Sequence, residues 1–232
     1  MKKIFSHVAV NVVLLALVLC VSAVGTYGGV LAAFRTDYAP VYGGSGDGVC
    51  FLINVYWGTE YIDGFLEIFQ KYGVYSTFFV GGVWAAENPD VLKKICDSGQ
   101  EIGNHGFYHK MHGSLSYRQN AEEILTCSKL IFEICGVFPT LFAPPSGDFC
   151  QDTLKAAHDN GFTTVMWSRD TIDWRDRDSA LVLKRATQGT QKGEFILMHP
   201  TAHTLAVLEE IVQYYLKKDM RPVTVGEMLE RI

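Results

Sequence analysis

The sequence of 232 residues contains neither a C-x-x-C pair nor a glycine-rich phosphate loop between a strand and a helix. A zinc knuckle, a thioredoxin motif and a nucleotide-binding sheet therefore have no support. A basic block is also missing. The 20 Lys and Arg residues are outnumbered by 25 Asp and Glu residues, which argues against nucleic acid as a partner. A hydrophobic fraction of 48% with 19% charged residues excludes a disordered chain.

The N-terminus combines two positive charges with a long apolar run. Lys2 and Lys3 precede a nearly continuous apolar stretch over Val8–Val24. With its apolar continuation it reaches the roughly 20 residues that a helix needs to span a bilayer. Positive charges before such a segment keep the lysines in the cytoplasm and direct the rest of the chain to export. Residues 1–34 are predicted to be a signal anchor of a single-pass cell-membrane protein with an extracytoplasmic domain. Cleavage near Ala23 would instead release a secreted domain.

Residues 35–48 contain Pro40 and several glycines, which is typical of a flexible tether. The folded domain is therefore predicted to occupy residues 49–232. It holds the odd number of five cysteines, which argues against a complete disulfide framework in an exported domain. We expect these cysteines to be small buried side chains.

Strand-like and helix-like segments alternate throughout the predicted domain. The predicted strands cover residues 49–55, 75–80, 101–104, 140–142, 162–168, 194–199 and 222–225. The predicted helices cover residues 60–71, 88–99, 116–135, 150–160, 179–188, 205–217 and 227–232. Seven β-α units imply a parallel sheet covered by helices, and the missing phosphate loop favours a distorted (β/α)7 barrel over a Rossmann sheet. In a barrel, chemistry is carried by the loops at the carboxyl ends of the strands.

Histidines follow the third predicted strand. His105 and His109 are four residues apart, and two neutral imidazoles at this spacing can converge on one metal ion. Two solvated loop histidines are the alternative. His112 is either a third ligand or a plain surface histidine.

Other polar residues come after the later strands. Asp170, Asp173 and Trp174 come after the fifth, where they could orient a histidine or bind a sugar ring. His199 comes after the sixth and is suited to general acid catalysis, because its pKa lies near neutral. The rigid loop around Pro145 comes after the fourth and is expected to form a wall of the same site.

These motifs, in this order, resemble those of the polysaccharide deacetylases of the NodB-homology (carbohydrate esterase 4) family. The matching stretches are Glu101–His105 with His109, Phe142–Pro145, Asp170-x-x-Asp173-Trp174, and Leu197-x-His199. The resemblance implies a distorted (β/α) barrel that hydrolyses acetyl groups from chitin-like, peptidoglycan or xylan chains.

The resemblance also implies roles for individual residues. His105 and His109 would hold a divalent metal, usually zinc, which polarises the acetyl carbonyl and activates a water. His199 would protonate the leaving amine, and together with Asp170 and Asp173 it forms the implied catalytic set. The substrate would lie against Trp174, Tyr56, Trp57, Leu197 and Pro145.

The chain departs from the family at linked positions. The family's first motif is Thr-Phe-Asp-Asp-Gly, and here Tyr56 replaces the catalytic base while Trp57 replaces the third metal ligand. Ala143 replaces the Arg that braces the base. Glu60 is the candidate substitute ligand, with Asp63 as a further possibility. Both are also explained as acidic residues in the first turn of a helix, where the dipole favours them.

The altered first motif resembles that of a membrane-anchored subgroup associated with sporulation. Three functions remain open. The protein is a metal-dependent deacetylase with a rebuilt site, an inactive protein that still binds cell-wall or spore glycan, or a membrane-anchored scaffold of the envelope. Retained histidines and aspartates favour the first, and the lost base favours the second.

Overall fold

The computed structural model describes residues 38–230. The predicted anchor, residues 1–34, lies outside them. Among the described residues, none of the helices combines the length and the apolar character required to cross a bilayer.

Seven parallel strands form a single sheet with helices packed on it. The strands are β1 (Cys50–Val55), β2 (Thr77–Val80), β3 (Glu101–Asn104), β4 (Leu141–Phe142), β5 (Thr163–Thr164), β6 (Arg169–Asp170) and β7 (Phe195–Met198). Their order in the sheet is β5-β4-β3-β2-β1-β7-β6, and every neighbouring pair is parallel. The sheet forms a half-barrel, which confirms the predicted α/β architecture of the distorted (β/α)7 type.

The helices agree with the apolar spacing and capping signals of the sequence. They are α1 (Ile62–Tyr72), α2 (Gly82–Glu87), α3 (Pro89–Asp97), α4 (Tyr117–Cys135), α5 (Gln151–Asp159), α6 (Ser179–Thr187), α7 (Ala202–Lys217) and α8 (Val225–Glu230). Ser116 and Gln119 form a reciprocal capping box that begins α4, and Gly136 ends it in the left-handed conformation that glycine tolerates best. The short α2 was not predicted.

Strand alternation divides the side chains between the two faces of the sheet. On β1, Phe51, Ile53 and Val55 pack with the surrounding helices. Cys50 and Leu52 point to the opposite, inner face. Successive side chains of a strand alternate between faces, so the next inner position along β1, at its carboxyl end, is Asn54.

The prediction of seven strands was right in number but wrong for two segments. The predicted strand 162–168 is interrupted after Thr164, and the chain forms β6 only from Arg169. The predicted strand 222–225 makes a single bridge between Pro222 and Val49. Proline has no N–H with which to extend such a ladder, and α8 already begins at Val225.

The segment predicted to be a tether contributes hydrogen bonds to the domain. The Val41 N–H donates to the Thr164 carbonyl at 2.9 Å, and the Val41 carbonyl accepts from the Met166 N–H at 2.8 Å. The Gly44 N–H donates to the Gly193 carbonyl at 2.9 Å. A Cβ on Gly193 would lie 2.0 Å from the Gly44 carbonyl oxygen, so this contact requires glycine. Between Val41 and Gly44 the chain is therefore part of the folded domain.

The cysteines are only partly as expected. Cys50 and Cys127 are buried free thiols, as predicted. Cys96 and Cys135, predicted to be buried small side chains as well, instead form a disulfide between the carboxyl ends of α3 and α4. An odd number of cysteines excludes complete pairing but allows one bridge.

Candidate functional site

A cavity of about 350 Å³ opens at the carboxyl ends of the central strands. Its lining residues are Asn54, Tyr56, His105, His109, Ser146, Trp167, Asp170, Trp174, Leu197 and His199. The two-residue period of the strands explains part of this set, because His199 lies two positions beyond Leu197, on the same side of the chain. The predicted rim residues therefore meet in one place.

Asp173 holds His199 in a fixed orientation beneath this cavity. Its carboxylate accepts from the His199 backbone N–H at 2.7 Å and from Nδ1 of the ring at 2.7 Å. The Thr204 hydroxyl donates to it as well, at 2.7 Å. A carboxylate only accepts, so Nδ1 carries the proton and Nε2 is the nitrogen left for the cavity. Burial raises the pKa of Asp173, but the hydrogen bonds from His199 and Thr204 outweigh it and hold the pKa below its usual range.

Asp170 is anchored through the backbone. Its Oδ1 accepts from the Ile172 N–H at 2.7 Å. Ile172 has a φ of 55°, a left-handed conformation that is unusual and costly for a β-branched residue. Burial raises the pKa of Asp170. This strained turn allows Asp170 to line the cavity while Asp173 supports His199 from below.

The two predicted metal-binding histidines lie side by side. Nδ1 of His105 donates to the Ala143 carbonyl at 2.7 Å, which leaves Nε2 as an acceptor. The His105 and His109 ring centroids are 5.1 Å apart. Burial and then the neighbouring His109 lower the pKa of His105 well below its usual value, and burial also lowers the pKa of His109. Both rings are therefore neutral near pH 7.

The aromatic residues of the altered first motif cover the histidines. The Tyr56 ring stacks on His109 with centroids 3.6 Å apart and an interplanar angle of 20°. The Trp57 ring stacks on His199 at 5.3 Å and 27°. Burial raises the pKa of Tyr56, so its hydroxyl stays protonated at neutral pH. The positions that carry acidic residues in the family motif here present ring faces to the imidazoles.

The residues present do not fit the metal site that the family motifs imply. Within residues 38–230, no three His, Cys, Asp or Glu side chains are grouped so that they could hold a metal ion. Glu60, the predicted third ligand, is exposed and accepts from the Thr59 N–H at 3.0 Å instead of lining the cavity. Asp63, the alternative, pairs with Lys94 at 2.7 Å on the surface. Asp63 lies in the first turn of α1 and Glu60 in the turn that precedes the helix, and neither carboxylate lines the cavity.

The predicted substrate-binding residues are only partly placed at the cavity. Tyr56, Trp174 and Leu197 line it. Trp57 lies beside it on His199. Pro145 is buried, and the next residue, Ser146, reaches the cavity from a left-handed backbone with a φ of 56°.

Sequence reasoning missed Asn54 and Trp167 as lining residues. The signal for Asn54 was the alternation of β1, which places it two positions beyond the inward-facing Leu52. Trp167 stands near the carboxyl end of the predicted strand 162–168, and in the structure it lies in the irregular segment between β5 and β6.

His112 is neither a third ligand nor a surface histidine. It is fully buried, and its Nδ1 donates to the Asn120 side-chain oxygen at 2.6 Å. Asn120 in turn donates to the His112, Leu115 and Ser116 carbonyls, which fastens the 3₁₀ turn at His112–Ser114 to the start of α4. This histidine supports the loop that carries His109.

The chain is similar in sequence to known polysaccharide deacetylases. The family model "Polysaccharide deacetylase" matches residues 47–165, just over half of the chain. The uncharacterized protein YlxY of Bacillus subtilis is 38% identical over 193 residues, which cover 82% of this chain and 60% of YlxY. A peptidoglycan-N-acetylglucosamine deacetylase of Bacillus cereus is 31% identical over 170 residues, covering 71% of this chain and 79% of that protein.

Solved structures agree with the sequence relatives. BA3943, described as a carbohydrate esterase 4 family pseudoenzyme from Bacillus anthracis, superimposes with a TM-score of 0.81 at 33% identity. The alignment covers 83% of this chain and 69% of BA3943. A mutant of BA3943 described as having restored enzymatic activity superimposes equally well, with a TM-score of 0.81 at 32% identity. Because the family model spans more than half of the chain, and the strands that carry its motifs form the cavity, the chain belongs to the polysaccharide deacetylase (carbohydrate esterase 4) family.

Proposed function

We propose that this domain is a catalytically inactive member of the family that binds cell-wall glycan in the cavity. The observation that carries this proposal is the stacking of Tyr56 on His109, with ring centroids 3.6 Å apart. A deacetylase needs a base beside its reacting centre, and a phenol whose pKa is raised by burial does not supply one at neutral pH.

The cavity has the composition of a sugar-binding site. Trp174 is 53% exposed and Tyr56 37% exposed, so both present aromatic surface to a ligand. Hydrogen-bonding groups at the same cavity are provided by Asn54, Ser146, Asp170 and the three histidines. Ligand sites commonly combine apolar walls with a few convergent polar groups. The Bacillus cereus relative acts on peptidoglycan N-acetylglucosamine, as its name states, which supports cell-wall glycan as the ligand class.

A slow metal-dependent deacetylase is the second candidate function. The observation that favours it is the intact pair of Asp173 and His199, joined through Nδ1 at 2.7 Å. Such a pair fixes an imidazole for proton transfer to a leaving amine. The histidine pair has no third ligand among residues 38–230.

We also propose that the domain faces the cell envelope, attached to the membrane through residues 1–34. The apolar run of the sequence supports this location, because it has the length and flanking charge of a signal anchor. The disulfide of Cys96 and Cys135 also supports it, since disulfides persist mainly in oxidising compartments.

Acetate release tests the inactive state. Wild-type protein incubated with peptidoglycan and zinc is expected to release no acetate. The triple variant Tyr56→Asp, Trp57→Asp and Ala143→Arg is expected to gain stoichiometric zinc and measurable release, because it re-creates the missing base, ligand and brace. The same triple variant with His105→Ala is the control and should lose both. Acetate release by the wild type, abolished by His199→Ala, would instead establish the second candidate.

Glycan binding is tested with a matched pair of aromatic variants. Trp174→Ala is expected to weaken the affinity for insoluble peptidoglycan about tenfold, because stacking surface at the cavity is lost. Co-sedimentation with insoluble peptidoglycan measures this affinity. Phe132→Ala removes a ring of similar exposure, 47%, from α4 away from the cavity and should leave binding unchanged. Equal loss in both variants, or no binding by the wild type, would contradict the proposal.

A further inference from the structure

We propose that an apolar patch at the amino ends of the strands seats the domain on the lipid bilayer. This basal patch consists of Phe132, Val137 and Phe138. The inference rests on the membrane attachment proposed above and is independent of what the cavity binds. It adds a second contact with the membrane and a fixed direction for the cavity.

The basal patch exposes three large apolar side chains in adjoining positions. Val137 is 58% exposed, Phe132 47% and Phe138 43%. The Phe132 and Phe138 ring centroids are 6.4 Å apart, and Val137 precedes Phe138 in the chain, so the three side chains form one surface. Residues 136–140 read Gly-Val-Phe-Pro-Thr and carry no charge. Contiguous exposed apolar groups mark sites of contact with a protein or a membrane.

The basal patch lies at the end of the sheet opposite the cavity. Phe138 precedes β4, and its ring centroid lies 6.0 Å from that of Phe162, the residue before β5. Both residues are therefore at the amino ends of strands, whereas the cavity opens at the carboxyl ends. The 6 residues of β1 extend over roughly 20 Å between these two ends.

The chain reaches the described domain from the same end as the basal patch. Val41 forms a parallel bridge with Val165, so the residues before Val41 come from the amino end of β5. The Tyr38 ring lies 4.7 Å from that of His158, in the last turn of the helix that leads into β5. The strand of lowest residue number at this edge is thus the chain that follows the predicted anchor.

The tether between this point and the predicted anchor is short. Residues 35–37 separate Tyr38 from residues 1–34. A chain advances at most about 3.6 Å per residue, so this connection holds Tyr38 within roughly 15 Å of the end of the predicted anchor. An anchored domain therefore has the amino ends of its strands, and with them the basal patch, beside the bilayer.

The charges around the basal patch indicate that apolar contact would provide the binding. Lys155 pairs with Asp159 at the end of α5. On α4, Lys129 and Glu133 flank Phe132 in sequence and have opposite signs. This balance offers little attraction for anionic lipid, whereas half-exposed phenylalanine rings gain free energy when they leave water. Seated in this way, the domain directs its cavity away from the lipid and towards the wall.

Two reporter tryptophans test the orientation. Phe138→Trp places an indole in the basal patch, and Tyr108→Trp places one at a 61% exposed position in the loop that follows β3, at the cavity end. Each full-length variant is reconstituted in phosphatidylcholine vesicles with and without bromine on the acyl chains, which quenches an indole in contact with lipid. After subtraction of the wild-type signal, the Phe138→Trp indole is expected to lose most of its emission and the Tyr108→Trp indole to keep it.

A charged variant tests the contact itself. Val137→Asp, introduced into the Phe138→Trp chain, is expected to weaken seating about tenfold or more and so to remove the quenching, because a carboxylate resists transfer from water. Val137→Leu keeps the position apolar and should keep the quenching. If Phe138→Trp fails to fold, Val137→Trp at the more exposed position is compared with Tyr108→Trp and decides the outcome by itself.

The remaining outcomes separate the inference from the proposal on which it rests. Equal quenching of both reporters, or of neither, in chains that float with the vesicles would overturn the inference and leave membrane attachment intact. Energy transfer between labelled copies of the chain, abolished by Val137→Asp and without quenching by lipid, would assign the basal patch to a second copy and also overturn it. Chains that do not float with the vesicles would contradict the proposed membrane attachment itself.

Discussion

At the residue scale, aromatic replacements have altered one side of the site and left the other unchanged. Asp173 still accepts hydrogen bonds from His199 and Thr204, so the support of that histidine is intact. Tyr56 and Trp57 instead cover imidazole faces with rings. The change removes carboxylates from a partly buried position, where each would need a metal or an arginine as a partner. The result is a cavity that retains its hydrogen-bonding groups but has no complete metal site among the described residues.

The buried imidazole of His112 predicts a pH dependence of stability. Burial, the larger cause, lowers the pKa of His112 although its hydrogen bond to Asn120 raises it. Below about pH 6.5 the unfolded chain therefore binds a proton that the folded protein excludes. The free energy of unfolding is expected to be highest above this pH and to fall by up to about 1.4 kcal/mol per pH unit for each such group below it.

Urea unfolding between pH 7.5 and 5.5 measures this effect. His112→Gln is expected to reduce the slope of unfolding free energy against pH. A slope of the same sign should remain, because the pKa values of His105 and His109 are also lowered in the folded protein. His158→Gln replaces an exposed histidine on α5 and serves as the comparison variant. A slope identical in wild type and His112→Gln would contradict the assignment.

At the scale of elements, α3 and α4 are joined covalently. Cys96 and Cys135 lie at their carboxyl ends, 39 residues apart in sequence. Helix α4 also supports the loop with the two cavity histidines, because its Glu123 carboxylate accepts from the Phe107 and Tyr108 N–H groups at 3.0 and 2.8 Å. The disulfide thus stabilises the helix on which this loop rests.

Removing the disulfide is expected to destabilise the domain without changing the cavity. For a closed loop of this length, the lost chain entropy corresponds to about 4 kcal/mol. The double variant Cys96→Ala, Cys135→Ala should therefore unfold at a lower urea concentration than the wild type. After its disulfide is reduced, the wild type should unfold at the same urea concentration as the double variant. Cys150→Ala replaces a partly buried free thiol and serves as the control. A double variant as stable as the wild type would show that the bridge adds nothing to stability.

At the scale of the whole described domain, the sheet depends on a segment that precedes its first strand. The sheet has β5 and β6 at its two edges. Val41 forms backbone hydrogen bonds to Thr164, the last residue of β5, and to Met166, which follows that strand. The Gly44 N–H donates to the carbonyl of Gly193, just before β7. The segment 41–44 therefore connects the two sides of the open half-barrel through the backbone.

Two truncations test the contribution of this segment. A chain beginning at Tyr38 keeps it. A chain beginning at Val49 lacks the three backbone hydrogen bonds of Val41 and Gly44 and also the one from the Gly193 N–H to the Gly48 carbonyl. At about 1 kcal/mol for each bond, the shorter chain is expected to be roughly 4 kcal/mol less stable in urea unfolding. Equal stability of the two chains would mean that the segment is an attachment without a structural role.

Local patterns of the sequence determined the helices and most of the strands, and they predicted that the polar residues of the site lie together. The spacing of Ile62, Phe65, Leu66 and Phe69 specified the buried face of α1, and Ser116 and Gly136 marked the ends of α4. Parallel strands bring their carboxyl ends to one edge, so residues as distant as His105 and His199 could be placed at one site. These inferences succeed because helix period, strand alternation and capping depend on neighbours within a few residues.

Only the tertiary structure decided which side chains complete the cavity and which do not. Glu60 lies close in sequence to Trp57, yet it bonds to Thr59 instead of reaching the histidines. The burial of the Asn54 oxygen without a hydrogen-bond partner in residues 38–230, and the pairing of Cys96 with Cys135, also depend on chain segments far apart in sequence. The physical reason is that side-chain direction and hydrogen-bond satisfaction are set by packing between elements, whereas sequence patterns report on each element separately.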